Sequence, residues 1–156
     1  MPRGTSHRAP VDQVAAVCYR RADGSVQFKL IRTKAGCWLF PKGHVERGDT
    51  PWRAAEREAL EEAGVRGRIE TEPLTVFPHE KRASDGRPKE LRVAAYLLQV
   101  ESESDPPEPD RDPTWFSPEQ AKHKLAEKQN PPYQQAYAGV IDKACRKLEQ
   151  QDAGRV

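Results

Sequence analysis

The stretch Thr50 to Gly64, TPWRAAEREALEEAG, constrains this chain more than any other. Thr50 can cap a helix and Pro51 suits its first position. Helix formers run from Trp52 to Ala63, and Gly64 supplies a stop. Ala54, Ala55, Ala59 and Ala63 keep the helix thin, which suits close packing on a sheet. A chain that carries such a helix needs strands to lay it on.

The strands are readable on both sides. Val14 to Tyr19 is a short apolar run, and Val26 to Ile31 sets Val26, Phe28 and Leu30 against Gln27 and Lys29, with Ala22-Asp23-Gly24 as the turn between them. Trp38-Leu39-Phe40 is a third piece, stopped by Pro41 and Gly43. Leu74 to Phe77 and the nearly all-apolar Leu91 to Val100 follow, the second reading as a central strand. The polar segment Glu80 to Glu90 between them, with Gly86 and Pro88, and the acidic, Pro-rich Glu101 to Pro113 read as loops. Ser117 caps a short helix behind Pro118. Pro131-Pro132 opens a last helix through about Leu148, with Tyr133, Tyr137, Val140, Ile141 and Cys145 on one face. This order predicts an α+β fold, an α/β/α sandwich with a mixed sheet flanked by helices. The expected organisation is an N-terminal arm over 1–10, one domain over 11–148 and a tail over 149–156.

Bulk properties narrow the function by exclusion. The chain has 156 residues, one domain's length. A net charge of +2 and an aromatic content of 7% provide no electrostatic footprint or stacking platform for nucleic acid. No apolar stretch is long enough to span a bilayer, and the polar Met1 to Pro10 does not read as a secretory leader. Cys18, Cys37 and Cys145 are odd in number and scattered, which points to reduced thiols and a cytoplasmic setting.

Chemistry is suggested by Glu58, Glu61 and Glu62, at i, i+3 and i+4 on one helical face. Two carboxylates within one turn can approach one hard divalent cation, and magnesium typically takes one or two carboxylates plus phosphate oxygens. A solvated charged face is the plain alternative, since the mutual repulsion costs only ~0.2–0.5 kcal/mol per pair. The surroundings shift the balance. Arg57 precedes Glu61 by four residues and is placed to orient it. Ahead of the helix lies Pro41-Lys42-Gly43-His44, where Gly43 lets backbone approach a metal or phosphate closely.

The run from Gly43 to Val65, GHVERGDTPWRAAEREALEEAGV, resembles the Nudix box, G-x5-E-x7-R-E-U-x-E-E-x-G-U, with U apolar. Gly43, Arg57, Glu58, Glu61, Glu62, Gly64 and Val65 fall in register. Asp49 stands where the family has Glu, keeping the charge on a side chain one methylene shorter, and Ala59 is smaller than the usual aliphatic. The resemblance implies a Nudix fold and a hydrolase of phosphoanhydride bonds. It implies Mg2+ as cofactor, with Mn2+ as a substitute, and Glu58 and Glu62 as metal ligands. Glu61 is implied as a further ligand or the general base, the Lys42 main-chain carbonyl as another ligand, and Arg57 as the residue holding the carboxylates in place. No covalent nucleophile is needed.

The box defines the reaction type, not the substrate. Outside it the chain resembles the diphosphoinositol polyphosphate phosphohydrolases and diadenosine polyphosphate hydrolases. The pieces are Ala15-Ala16-Val17-Cys18, Trp115-Phe116 with the helix behind Pro118, and Pro131-Pro132-Tyr133-Gln134-Gln135-Ala136-Tyr137. The implied partner is a small polyphosphorylated molecule. Candidate phosphate contacts are Arg32, Lys34, Lys42, His44, Arg82, Arg87 and Lys89, with Arg20, Arg21 and Lys81 nearby. Interleaved Glu80, Asp85 and Glu90 fit a solubilising surface equally well. His79 and His123 read as packing or surface residues. The competing readings are an ADP-ribose, nucleotide-sugar or nucleoside triphosphate pyrophosphatase and a non-catalytic nucleotide-binding module, which would be expected to lose box carboxylates.

Overall fold

The computed structural model describes residues 10–154. The strands are β1 (Gln13–Ala22), β2 (Ser25–Arg32), β3 (Trp38–Leu39), β4 (Lys42–Gly43), β5 (Val65–Ile69), β6 (Thr75–Arg82), β7 (Pro88–Glu103) and β8 (Thr114–Phe116). The helices are α1 (Pro51–Glu58), continued by a wider π-helical turn over Ala59–Ala63, then α2 (Pro118–Ala126) and α3 (Pro131–Ala153). β1 and β7 run parallel at the centre and every other pair is antiparallel, so the sheet is mixed. β6 and β5 share the far edge of the long β7, while β2, then β3 and β8, extend the other side.

Alternation along β1 divides the interior. Val14, Ala16 and Cys18 pack with Ala54, Ala55, Ala59 and Ala63 of the box helix. Ala15, Val17 and Tyr19 pack against Ala121 and Leu125 of α2 and Tyr137, Val140, Ile141, Ala144 and Leu148 of α3. Helices therefore cover both faces, as the sandwich expectation requires, and the alanine side of α1 is buried on the sheet. No described helix is long and apolar enough to cross a membrane.

Several local expectations are corrected. The segment 80–90 is not an open loop: β6 and β7 continue into it as a hairpin, pairing Glu80 with Glu90 and Lys81 with Lys89. Val65–Ile69 forms a strand that its two arginines and Gly67 disguise. Lys29, expected on the polar side of β2, is buried and ion-paired to Glu103 at 2.5 Å. The last helix runs on past Leu148 to Ala153, so 149–153 are helical. Of the expected N-terminal arm, residues 1–9 lie outside the described residues.

Candidate active site

The box helix begins as the sequence predicts. The Thr50 side chain accepts from the Arg53 N–H at 3.3 Å, and Pro51 fills the first turn. Its last turn is wider than an α-turn. Such π-turns occur often at functional sites, and this one spans Glu61 and Glu62. Gly64 closes it at φ 67°, where a Cβ would run into the Ser104 carbonyl.

The turn brings Glu58 and Glu62 into mutual hydrogen-bond contact. Two carboxylates can share such a bond only if one is protonated. Burial, the Glu58 bond and the Glu58 charge together push Glu62 up to about 8; Arg111 and the Lys42 amide oppose the shift. Burial likewise raises Glu58, with Glu61 adding to it. The Lys42 backbone N–H donates to Glu62 Oε1 at 3.2 Å. Gly43 lies so close to the Glu58 carboxylate that any Cβ there would overlap it. The close backbone approach at Gly43 is thus to a carboxylate, where the sequence suggested a metal or phosphate.

A buried and a half-buried carboxylate held in contact, their shared bond raising Glu62 and lowering Glu58, form a site that a divalent cation suits electrostatically. Among the described residues no three His, Cys, Asp or Glu side chains converge on one point. Magnesium accepts as few as one or two carboxylates when phosphate supplies the rest. Glu61 is half-buried on the same turn; its carboxylate makes no hydrogen bond or ion pair among the described residues.

Arg57 does not reach Glu61. Its Nη1 donates to Asp49, so the shorter residue at this box position still meets the arginine, and the pair ties the box loop to α1. Arg57 Nη2 is buried with no partner.

The loop after β7 supplies residues that sequence reasoning missed. The Glu108 N–H donates to the Glu61 carbonyl at 3.1 Å and the Ser104 N–H to the Gly64 carbonyl at 2.7 Å, so the loop is strapped onto the end of the box helix. Asp110 and Asp112 take positive φ, 63° and 48°. Arg111 between them bonds Glu108 through Nε and Nη2 at 3.0 and 2.8 Å. Its charge is close enough to oppose the upward shift of Glu62 and to depress Lys42. The sequence signal was weak: an arginine flanked by aspartates inside a proline-rich stretch.

Arg32 and Lys34 line a cleft of about 860 Å3 with Arg111 and Glu108. Arg32 also lies over the Trp38 ring at 5.0 Å and pairs with Asp112 at 3.7 Å. Lys42 is depressed chiefly by burial, with Lys81 and Arg111 adding to it. His79, bonded to the Tyr137 hydroxyl at 2.7 Å, is pushed down to about 4 by burial, Lys42 and Lys81. Lys81 therefore stands near the box loop. Arg82 instead donates to the Gly86 carbonyl and Arg87 pairs with Asp85, both within the hairpin turn. Lys89 and His44 are exposed. Arg20 and Arg21 lie at the far end of β1, about 23 Å along the strand from Gln13 at ~3.3 Å per residue; they engage Glu103 and Asp152.

The NUDIX domain family matches residues 11–137. The asymmetrical bis(5'-nucleosyl)-tetraphosphatase of Caenorhabditis elegans is 32% identical over 99 residues, covering 61% of this chain and 69% of that protein. The mitochondrial Nudix hydrolase 13 of Arabidopsis thaliana is 46% identical over 46 residues, 30% of this chain and 23% of that one. The crystal structure of the C. elegans Ap4A hydrolase binary complex superposes with TM-score 0.66 at 23% identity, covering 90% of this chain and 99% of that one. The chain therefore belongs to the Nudix family and is a hydrolase acting on anhydride bonds.

Proposed function

We propose that this protein hydrolyses a phosphoanhydride bond in a polyphosphorylated small molecule, such as a diadenosine polyphosphate or a diphosphoinositol polyphosphate. The Glu58–Glu62 contact, with Glu62 buried and Glu58 half-buried, carries the reading, because two carboxylates held together suit a cation and their place in the box names the chemistry. Glu58 and Glu62 would hold Mg2+ or Mn2+, with the Lys42 main-chain carbonyl as a further ligand. A bound ion would supply charge neutralisation for the phosphates and activation of water. Glu61, on the same turn and free of partners among the described residues, is the candidate base or additional ligand. Asp49 and Arg57 brace the box loop against the helix. Arg32, Lys34 and Arg111 in the cleft and Lys42 and Lys81 near the box loop offer cations, with His44 beside them as a candidate phosphate contact. Arg82, Arg87 and Lys89 are outer contacts for a longer substrate. The three unpaired thiols fit a cytoplasmic setting.

The C. elegans relative's name, a tetraphosphatase, favours a long phosphate chain over ADP-ribose. The test is a panel of diadenosine tetraphosphate, a diphosphoinositol phosphate, ADP-ribose and a nucleoside triphosphate, each with Mg2+, products resolved by chromatography. The reading expects the highest kcat/KM on one of the first two. Preferential cleavage of ADP-ribose would overturn the substrate assignment.

A further inference from the structure

Gln13 is 4% exposed at the start of β1, a buried polar side chain in a stretch that is otherwise apolar. β1 pairs antiparallel with β4, Val14 opposite Gly43 and Ala15 opposite Lys42. Continuing that register sets Gln13 opposite His44 and diagonal to Lys42. Side chains alternate across a strand, so β4 presents Gly43 to the box helix and Lys42 to the other layer. Gln13 is on the same side as Lys42.

The contacts follow this register. Lys42 Nζ donates to Gln13 Oε1 at 2.9 Å. Gln13 Nε2 lies 3.5 Å from His44 Nε2, a long contact. An ammonium only donates, so the amide oxygen must face Lys42 and the amide NH2 must face His44. One buried amide thus addresses both basic side chains that flank Gly43.

An unanchored lysine on a four-carbon stem loses rotamer freedom when a ligand fixes it. Here the amide restricts it beforehand. The Lys42 backbone N–H meanwhile holds Glu62, so the same residue touches the carboxylate pair through its main chain and Gln13 through its side chain.

We propose that Gln13 is a positioning residue for phosphate recognition: its buried amide holds Lys42 Nζ, and through a longer contact the His44 ring, at the end of the sheet where a substrate phosphate meets them. It does not touch the reacting atoms and acts through Lys42. The inference rests on the reading of the chain as a polyphosphate hydrolase.

The experiment compares wild type, Gln13→Met, Lys42→Met and the double variant, measuring binding of inorganic tripolyphosphate by calorimetry and turnover of diadenosine tetraphosphate. Gln13→Met keeps the length of the side chain and removes the amide. It should raise the tripolyphosphate Kd and the tetraphosphate KM about tenfold, with kcat within about twofold. In the Lys42→Met background the same change should alter either quantity less than twofold. Gln13→Glu, which keeps an oxygen for Lys42 and leaves no donor for His44, should lie between wild type and Gln13→Met. It also keeps the comparison open if the apolar variant does not fold. Unchanged tripolyphosphate binding in Gln13→Met, or full additivity with Lys42→Met, would overturn the proposal. Tripolyphosphate binding by a wild type that turns over no tetraphosphate would count against the functional reading and leave the Gln13 result to stand by itself.

Discussion

Glu62 illustrates how a residue can be unfavourable for folding and favourable for function. Without a cation it is held at about 8, above an ordinary 4.5, mainly by burial and then by Glu58. Between those values the folded chain binds more protons than the unfolded chain, so stability falls as pH rises. His79, held at about 4 against 6.5, acts the other way: the unfolded chain binds the extra proton, and stability is lost as pH falls through 6.5. Above pH 6.5 only Glu62 of the two still titrates. In EDTA the Tm of the wild type should therefore decline between about pH 6.5 and 8.5, while Glu62→Gln stays nearly flat and more stable at the alkaline end. Parallel Tm curves for the two proteins would remove the shared-proton description of the pair. Gly43 makes a separate test. Gly43→Ala drives a methyl group into the Glu58 carboxylate. Activity should drop at least tenfold at limiting Mg2+ with Tm changed by only a few degrees; normal activity would mean that the close approach is incidental.

At the level of elements, the box helix and the strap over its end act together. Thr50→Ala removes the N-cap and should cost about 1 kcal/mol, read by urea unfolding. Gly64→Ala should do more than destabilise. Alanine at positive φ costs on the order of 1–2 kcal/mol, and the added Cβ meets the Ser104 carbonyl. The strap that carries Glu108 and Arg111 would be pushed away, raising KM as well as lowering stability. A loss of stability with unchanged KM would separate the strap from substrate binding. The hairpin makes a graded prediction. Lys81, which depresses Lys42 and His79, should matter more than Arg87, paired to Asp85 at the turn. Lys81→Ala should raise KM for a tetraphosphate at low salt several-fold, and the difference should shrink as salt screens exposed charges. Equal effects of Lys81→Ala and Arg87→Ala would return the hairpin to a solubilising role.

Across the whole molecule, what could be read in advance was what short stretches specify alone. The cap at Thr50, the alanine face, the glutamate spacing, the β1–β2 hairpin and the apolar run of β7 are local patterns, and they yielded the sandwich. What escaped depends on partners far away in the chain. Glu80 to Glu90 is polar on both faces, so no alternation marks it as strand; pairing with its own continuation makes it one. Gln13 is ordinary until β4 brings Lys42 beside it. Glu108 and Arg111 gain meaning only when the loop after β7 folds back on the box helix, forty-odd residues earlier. Arg57 was aimed at Glu61 by helical spacing, but the box loop offered Asp49 first. The layered fold then brings these distant pieces to one end of the sheet, around two glutamates. The most direct test is turnover of the best panel substrate by wild type and Glu62→Gln, over a Mg2+ titration that begins in EDTA. Wild type should be inactive in EDTA and rise to saturation with metal. Glu62→Gln should stay at least a hundredfold lower at every concentration, with a Tm equal to or above that of wild type. Turnover by Glu62→Gln within about twofold of wild type at limiting Mg2+ would contradict the account.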